Sequence, residues 1–382
     1  MYNLNLYNNY NFLEEYMDKA MNAAFFYGPN NIKIKNINIE NKSNDNLILK
    51  VLSCSICSYD VRTFRNGSFK IKPPIILGHE ICAETIDHIE GKNFRIKPNS
   101  RVSVYPVIPC FNCWYCNHSK YNLCSNLKEI GSTVNGGFAG YISIPKKVLE
   151  IGGIIPVLDN VTNEEASLIE PLACCINGIN HIKSLDFESI FIIGDGPIGL
   201  MQLMLLKKYF TGIHITVVGK IDHRLDEAKK LGADSVYKID TKHDLHTLSK
   251  IIDELNNREK SPNLIFVSNN NAYSLKVAFG LANKNGKVII FSGLKDVSSV
   301  TENNYFNTIA DANFVHYNQI SVIGSFSSNP ENLREAMGLV NSEEIRIKNL
   351  ITNTFELQNL ENALKTSESF EGFKSVINKF DN

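Results

Sequence analysis

Residues 190–200 read IFIIGDGPIGL, and this stretch decides the architecture of the chain's second half. Ile190, Phe191, Ile192 and Ile193 form an apolar run without polar alternation, as expected of a strand covered on both faces. Gly194, Gly196 and Gly199 then make a GxGxxG, with Pro197 and Ile198 between its last two glycines. Glycines at this spacing permit a tight turn and close backbone approach, so that a pyrophosphate can sit on the N-terminus of the helix that follows. Alone the pattern is weak. It gains force from its flanks, because PIGLMQLMLLKKYF reads as a helix and HITVVG as a second strand, the context that dinucleotide binding requires.

Outward from this point the alternation continues through DHRLDEAKKLG, SVYKI, HDLHTLSKIIDELN, LIFVS, AYSLKVAFGLA, GKVIIFSG and ISVIGSF. Apolar strands alternating with amphipathic helices predict a doubly wound parallel sheet in an α/β chain. Upstream the texture differs: NAAFFYG, NIKIKNINI, NLILKVLSC, SRVSVYP and GGFAGYISIP read as short strands punctuated by Gly, Pro and Asn. A helix opening at Asn163, with Glu164 and Glu165 in its first turn, connects the two textures. The expected division is an N-terminal extension over 1–20, a mostly β domain over 21–175, a coenzyme domain over 176–325, and a return to the first domain over 326–382.

The residue about 20 positions after a dinucleotide fingerprint is usually an acid for the ribose hydroxyls. In this chain the strand HITVVG ends in Gly219, followed by Lys220, Ile221, Asp222, His223 and Arg224. A carboxylate would repel a 2′-phosphate, whereas Gly219 leaves room and Lys220 with Arg224 supply positive charge. The pattern therefore favours NADP over NAD. The competing reading is that Asp222 serves the ribose and the two cations merely face solvent.

Two sets of residues suggest metal. Cys110, Cys113, Cys116 and Cys124 form a CxxCxxCx7C array within a lobe at about 106–126. Four thiolates give the soft tetrahedral set that zinc prefers and leave no open position, which points to a structural ion; an iron–sulfur cluster or a group of packed thiols are the alternatives. The second set is dispersed: Cys57 in CSICSYD, His79 and Glu80 in GHE, and Glu170 in IEPL. A mixed thiolate, imidazole and carboxylate set can bind zinc while keeping a position for substrate.

Composition narrows the partners. Lys and Arg number 39 against 40 Asp and Glu, a formal net charge of −1, so no long-range field draws in nucleic acid or an acidic membrane surface. No apolar run approaches about 18 residues, and the first residues lack the order of a signal peptide. Nine cysteines, four of them at metal spacing, suggest thiolates in a reducing compartment rather than disulfides. The expectation is a cytoplasmic protein with a small-molecule partner.

Assembled, these motifs resemble the zinc-dependent medium-chain dehydrogenase/reductase family from about Met21 onward. CSICSYD resembles the family's CGICGSD, PPIILGHE its GHE box, the four-cysteine loop its structural zinc lobe, GDGPIGL its coenzyme fingerprint and GGFAGYISIP its GGFAEY segment. The IEPL box, with Glu170 instead of a third metal-binding Cys, is similar to the sorbitol, threonine and polyol dehydrogenase branch. The resemblance implies a GroES-like catalytic domain joined to a Rossmann coenzyme domain, two zinc ions per chain, and a homodimer or homotetramer. It further implies that Cys57, His79 and Glu170 hold a catalytic zinc, with Glu80 a nearby or alternating ligand, and that a hydride passes between a carbinol carbon and nicotinamide.

The chain departs from the family at two positions. Tyr59 stands where a Ser or Thr usually relays the substrate proton, and Arg62 where many members carry His. A phenol can act as the relay although its ordinary pKa is near 10. Arg62 and Arg65, with Lys70 and Lys72 nearby, either face solvent or recognise an anionic or polyhydroxylated substrate. The favoured activity is NADP-linked interconversion of a secondary alcohol and a ketone on a polyol, sugar or cyclitol. GDG and the GK that ends the second strand also resemble NADPH-dependent reductases of a sugar phosphate such as a ketopentose phosphate, which lack the four-cysteine lobe. A non-enzymatic NADPH-binding protein is the reading from another class.

Overall fold

The computed structural model describes residues 20–39, 45–91, 94–183, 185, 187–239, 262–293 and 312–380. The first 19 residues of the expected N-terminal extension and the expected helix HDLHTLSKIIDELN lie outside them. Two compact units are present, one built from the residues up to Ala173 together with those from Ser328, the other from Cys174–Ser327.

The first unit is mostly β. Its main sheet has seven strands, six of them in the order Ile154–Pro156, Arg101–Val104, Glu80–Thr85, Asn46–Ser55, Lys374–Lys379 and Ile351–Glu356, with Tyr141–Pro145 also paired to Asn46–Ser55. A three-stranded sheet of Asn31–Asn38, Ala20–Gly28 and Ile75–Ile76 accompanies it. Phe26, Leu49, Ile81, Phe138 and Ile377 belong to the buried cluster that these strands enclose. Two of the seven strands come from the C-terminal segment, so the central strand Asn46–Ser55 has a neighbour more than 300 residues away in sequence.

The second unit is a six-stranded parallel sheet in the order Ser235–Lys238, His214–Gly219, Ser189–Ile193, Leu264–Val267, Lys287–Ile290 and Ser321–Gly324. Numbered along the chain this is 3-2-1-4-5-6, the doubly wound order whose direction reverses beside the first strand. Every residue of Ser189–Ile193 and of Leu264–Val267 is buried, which explains their unbroken apolar text.

The expected helix at Asn163 is divided in two, Asn163–Ser167 and Ile169–Asn180. Thr162 caps the first: its Oγ1 accepts from the Glu165 N–H at 3.2 Å, and Glu165 Oε2 accepts from the Thr162 N–H at 3.0 Å. The break has a covalent cause. Pro171 has no N–H to continue a helix through Leu168 but is tolerated in the first turn of a new one, where that N–H would have no partner anyway. Among the described residues no helix is long and apolar enough to cross a membrane.

Candidate active site

Strand register brings the dispersed residues together. Asn46–Ser55 and Glu80–Thr85 pair antiparallel with Ser55 opposite Glu80, so the chain leaves one strand just before Cys57 and enters the other just after His79, at the same end of the two strands. The ligand atoms of Cys57, His79 and Glu80 all lie within 4.8 Å of one another. Cys57 also caps the helix Ser58–Asn66, and its N–H donates to Asp60 Oδ2 at 2.9 Å. Asp60 is fully buried; its Oδ1 accepts from the Gly78 N–H at 3.3 Å and lies 3.7 Å from His79 Nδ1. Burial opposes a charged imidazole, but Asp60 and then Cys57 outweigh it and raise the His79 pKa well above the usual value. The imidazole thus lies beside a buried carboxylate and within ligand distance of a cysteine sulfur and a second carboxylate, a donor set suited to a cation.

Glu80 has a second set of partners. Lys374 Nζ donates to Glu80 Oε2, as does Ser55 Oγ, and Lys374 also donates to the Ile56 carbonyl at 2.9 Å. Burial alone would depress the ammonium; Glu80 overrides it and raises the Lys374 pKa. The C-terminal strand explains how Lys374 arrives. Val376 pairs with Ser55 and Ile377 with Cys54, which places Lys374 opposite the end of the strand that leads to Cys57. Neither Lys374 nor Asp60 stood out in the sequence, although Asp60 closes the CSICSYD motif; FKSVIN carries no local sign that its Lys is buried against a carboxylate.

Glu170 is buried in the first turn of Ile169–Asn180, but it is not one of the three residues whose ligand atoms converge within 4.8 Å. The Tyr59 ring meets His79 edge-on at 6.3 Å between centroids, and its hydroxyl lies 3.1 Å from Ser68 Oγ and 3.4 Å from Ser132 Oγ. The Arg62 guanidinium lies 6.0 Å from the centre of the same ring. Arg65 is committed elsewhere, to Glu368 at 2.5 Å and Asn30 Oδ1 at 2.9 Å, while Lys70 pairs with Glu129 at 3.7 Å and Lys72 is exposed.

The four-cysteine loop is more self-contained. Sγ–Sγ separations are 3.9 Å for Cys110–Cys116, 3.5 Å for Cys113–Cys116 and 4.0 Å for Cys113–Cys124. A tetrahedron with Zn–S bonds of about 2.3 Å has edges of about 3.8 Å, so the sulfurs already stand at the separation zinc requires. The Cys110 N–H donates to Cys124 Sγ at 3.1 Å, and backbone donors hold the Cys110 and Cys113 thiols below their usual pKa, while burial raises those of Cys116 and Cys124.

In the parallel-sheet unit, Gly194 follows the first strand and Gly196 caps the helix Pro197–Tyr209. A Cβ on Gly199 would fall 1.9 Å from the Gly194 carbonyl oxygen, so only glycine permits this turn to close on its helix. Above Gly196 the cradle is open: a Cβ there would meet no heavy atom closer than Arg224 Nη1 at 3.9 Å. The open helix N-terminus fits a pyrophosphate. Lys220 is exposed, Arg224 is buried, and Asp222 pairs with Lys238 at 2.6 Å.

Residues 43–152 match the alcohol dehydrogenase GroES-like domain, and residues 197–342 match the zinc-binding dehydrogenase domain. The chain belongs to the zinc-type alcohol dehydrogenase family. This enzyme is 28% identical over 349 residues to the D-arabitol-phosphate dehydrogenase of Enterococcus avium, covering 89% of this chain and 92% of that one. It is also 28% identical over 359 residues to the sorbitol dehydrogenase of Bacillus subtilis, covering 92% and 94% of the two chains. A Sinorhizobium meliloti 1021 protein described as a zinc-binding dehydrogenase, solved bound to NADP, superposes with a TM-score of 0.80 at 25% identity over 94% of this chain and 99% of that one. The oxidoreductase is therefore a zinc-type dehydrogenase with a GroES-like and a Rossmann-type part.

Proposed function

We propose that this dehydrogenase interconverts a secondary alcohol and a ketone on a polyol, sugar or cyclitol, with NADP(H) as its preferred coenzyme. The convergence of Cys57, His79 and Glu80 at the ends of two paired strands carries the proposal, because a mixed donor set leaves a position for substrate where four cysteines do not. Zinc held by Cys57, His79 and Glu170 would supply Lewis-acid polarisation of the substrate oxygen, and the nicotinamide the capacity to give or take a hydride. Glu80 is the alternating ligand, and Lys374 positions it. Asp60 orients His79 from the Nδ1 side. Tyr59 accepts the proton of the alcohol on its phenol oxygen as it gives its own to Ser68 Oγ, within hydrogen-bond reach, and the partly exposed Ser68 hydroxyl gives up its own proton to solvent. Cys110, Cys113, Cys116 and Cys124 hold a second, structural zinc. Gly194, Gly196, Pro197, Ile198 and Gly199 form the pyrophosphate turn, and Gly219, Lys220 and Arg224 accommodate the 2′-phosphate.

The polyol assignment is supported by the sorbitol dehydrogenase relative. A second reading, reduction of a sugar phosphate, is favoured by the D-arabitol-phosphate dehydrogenase relative and by Arg62 beside the Tyr59 ring. Arg65 would have to leave Glu368 to contribute to it. Nine free cysteines support a reducing, cytoplasmic setting, and the exposed edge strand Ser321–Gly324, with Val322 uncovered, supports a homodimer or homotetramer.

The test is nicotinamide absorbance with zinc-loaded enzyme and either NADP or NAD, against paired panels of neutral polyols, ketoses and their phosphates. Turnover of a neutral polyol or cyclitol with NADP is the expected result. Turnover of phosphorylated substrates alone, reduced further by Arg62→Ala through KM, puts the second reading first.

A further inference from the structure

The fingerprint loop contains a carboxylate that the function above does not use. Asp195 lies between Gly194 and Gly196, and its side chain reaches across to the end of the neighbouring strand. Its Oδ2 accepts from the Lys220 N–H at 2.7 Å and from the Ile221 N–H at 2.8 Å. Those two residues form the turn that carries the chain into the helix Asp222–Lys230, of which Arg224 is the third residue.

The space Asp195 fills is the space a side chain at the strand end would need. A Cβ built on Gly219 would stand 2.4 Å from Asp195 Cβ and 2.6 Å from both its Cγ and its Oδ2. Contacts that short force a shift, because Asp195 Cβ itself cannot be moved by rotating its side chain, and a carboxylate at 219 would add like-charge repulsion to the overlap. The two positions therefore compete for one space: an acid at 219 requires the loop at 195 to move. We propose that coenzyme preference in this enzyme is set by the coupled pair Asp195 and Gly219, with Asp195 a positioning residue that braces the Lys220–Arg224 turn for the 2′-phosphate.

The electrostatics agree with a bracing role. Oδ2 already accepts two backbone N–H groups, which offset part of its charge. Arg224 is buried with Nη1 3.9 Å from the Cβ position of Gly196, so its guanidinium lies beside the same loop. Lys220 and Arg224 together carry two positive charges against the one of Asp195, leaving the pocket net positive. The other nearby acid, Asp222, is neutralised by Lys238.

The proposal rests on the NADP reading, and the experiment separates the two. Equilibrium binding of NADPH and of NADH is measured by coenzyme fluorescence for wild type, Asp195→Ala, Asp195→Asn, Asp195→Gly, Gly219→Asp and the double variant Asp195→Gly/Gly219→Asp. Wild type is expected to bind NADPH more tightly. Asp195→Ala should weaken NADPH at least about fivefold while changing NADH less, and Asp195→Asn, which keeps the acceptor oxygen, should restore most of that loss. Gly219→Asp alone should weaken both coenzymes, and the double variant should bind NADH more tightly than either single variant, a non-additive gain.

Two results overturn the proposal: a Gly219→Asp variant that gains NADH affinity as fully as the double variant, or an Asp195→Ala variant with unchanged NADPH affinity. Wild type that binds NADH more tightly removes the NADP reading itself, and the same cycle still reports whether the two positions are coupled. Should Gly219→Asp fail to fold, Gly219→Ala probes the same overlap without charge. Its thermal midpoint should fall by several degrees in the wild-type background and stay level beside Asp195→Gly; equal losses in both backgrounds would refute the overlap.

Discussion

The two donor sets of the first unit invite comparison. Cys110, Cys113, Cys116 and Cys124 come from one run of 15 residues, and their sulfurs are spaced for a tetrahedral ion by local turns, the short helix Trp114–Asn117 and backbone N–H donors. Cys57, His79 and Glu80 converge only because two strands pair in one register, and a third strand from the C-terminal segment delivers the Lys374 that holds Glu80. The closed set is saturated by its own ligands. The mixed set differs in that its carboxylate also pairs with a buried ammonium. A local loop suffices to bring four sulfurs together, whereas the mixed donor set needs partners recruited from distant strands.

The strongest way to break this comparison is to remove one cysteine of the lobe. Cys113→Ser should abolish the closed site, and because structural zinc binding is worth about 10 kcal/mol or more to a small lobe, the zinc content should fall from two to one with a large drop in thermal midpoint. A zinc content and a midpoint both unchanged by the substitution would show that the four sulfurs are only a packed cluster. His79→Ala should do the converse, cutting turnover about 10³-fold, or about 4 kcal/mol of barrier, with the midpoint much less affected.

Lys374 sharpens the comparison further. Lys374→Met strands Glu80 as a buried charge and should cost about 3 kcal/mol in denaturant unfolding, while Lys374→Met/Glu80→Gln should recover most of it. Equal losses in the single and double variants would mean that the pair does not act as a unit. Tyr59→Phe should lower kcat by about 10² and flatten its pH profile if the hydroxyl relays the proton. Near-normal turnover across pH would reduce Tyr59 to a wall of the pocket held by Ser68 and Ser132.

The smallest effect lies in the other unit. The carboxylate of Asp234 loses hydration by partial burial, but the Ile215 N–H and Lys207 more than compensate and lower its pKa. A depressed folded pKa adds stability that is present above the unfolded value of about 3.9 and disappears as pH falls through the folded one. With solvent screening this amounts to less than about 0.5 kcal/mol. Thermal midpoints of wild type and Asp234→Asn should therefore differ slightly near neutral pH and converge under acid; a gap that widens on acidification would contradict the assignment.

The sequence by itself determined the parts whose physics is local. Apolar runs broken by Gly194, Gly196 and Gly199 specify a strand, a turn and a helix, because the steric demands act within a few residues. The spacing of four cysteines within one loop likewise brings their sulfurs together by local turns. The structure alone decided that the helix beginning at Asn163 restarts at Ile169, that Arg65 turns to Glu368, and that the ligand atoms of Cys57, His79 and Glu80 lie within 4.8 Å of one another. It also disclosed Lys374 beneath Glu80 and Asp195 in the space above Gly219. These depend on which strands become neighbours and on which side chain occupies a space first, and no window of sequence around either residue contains that information.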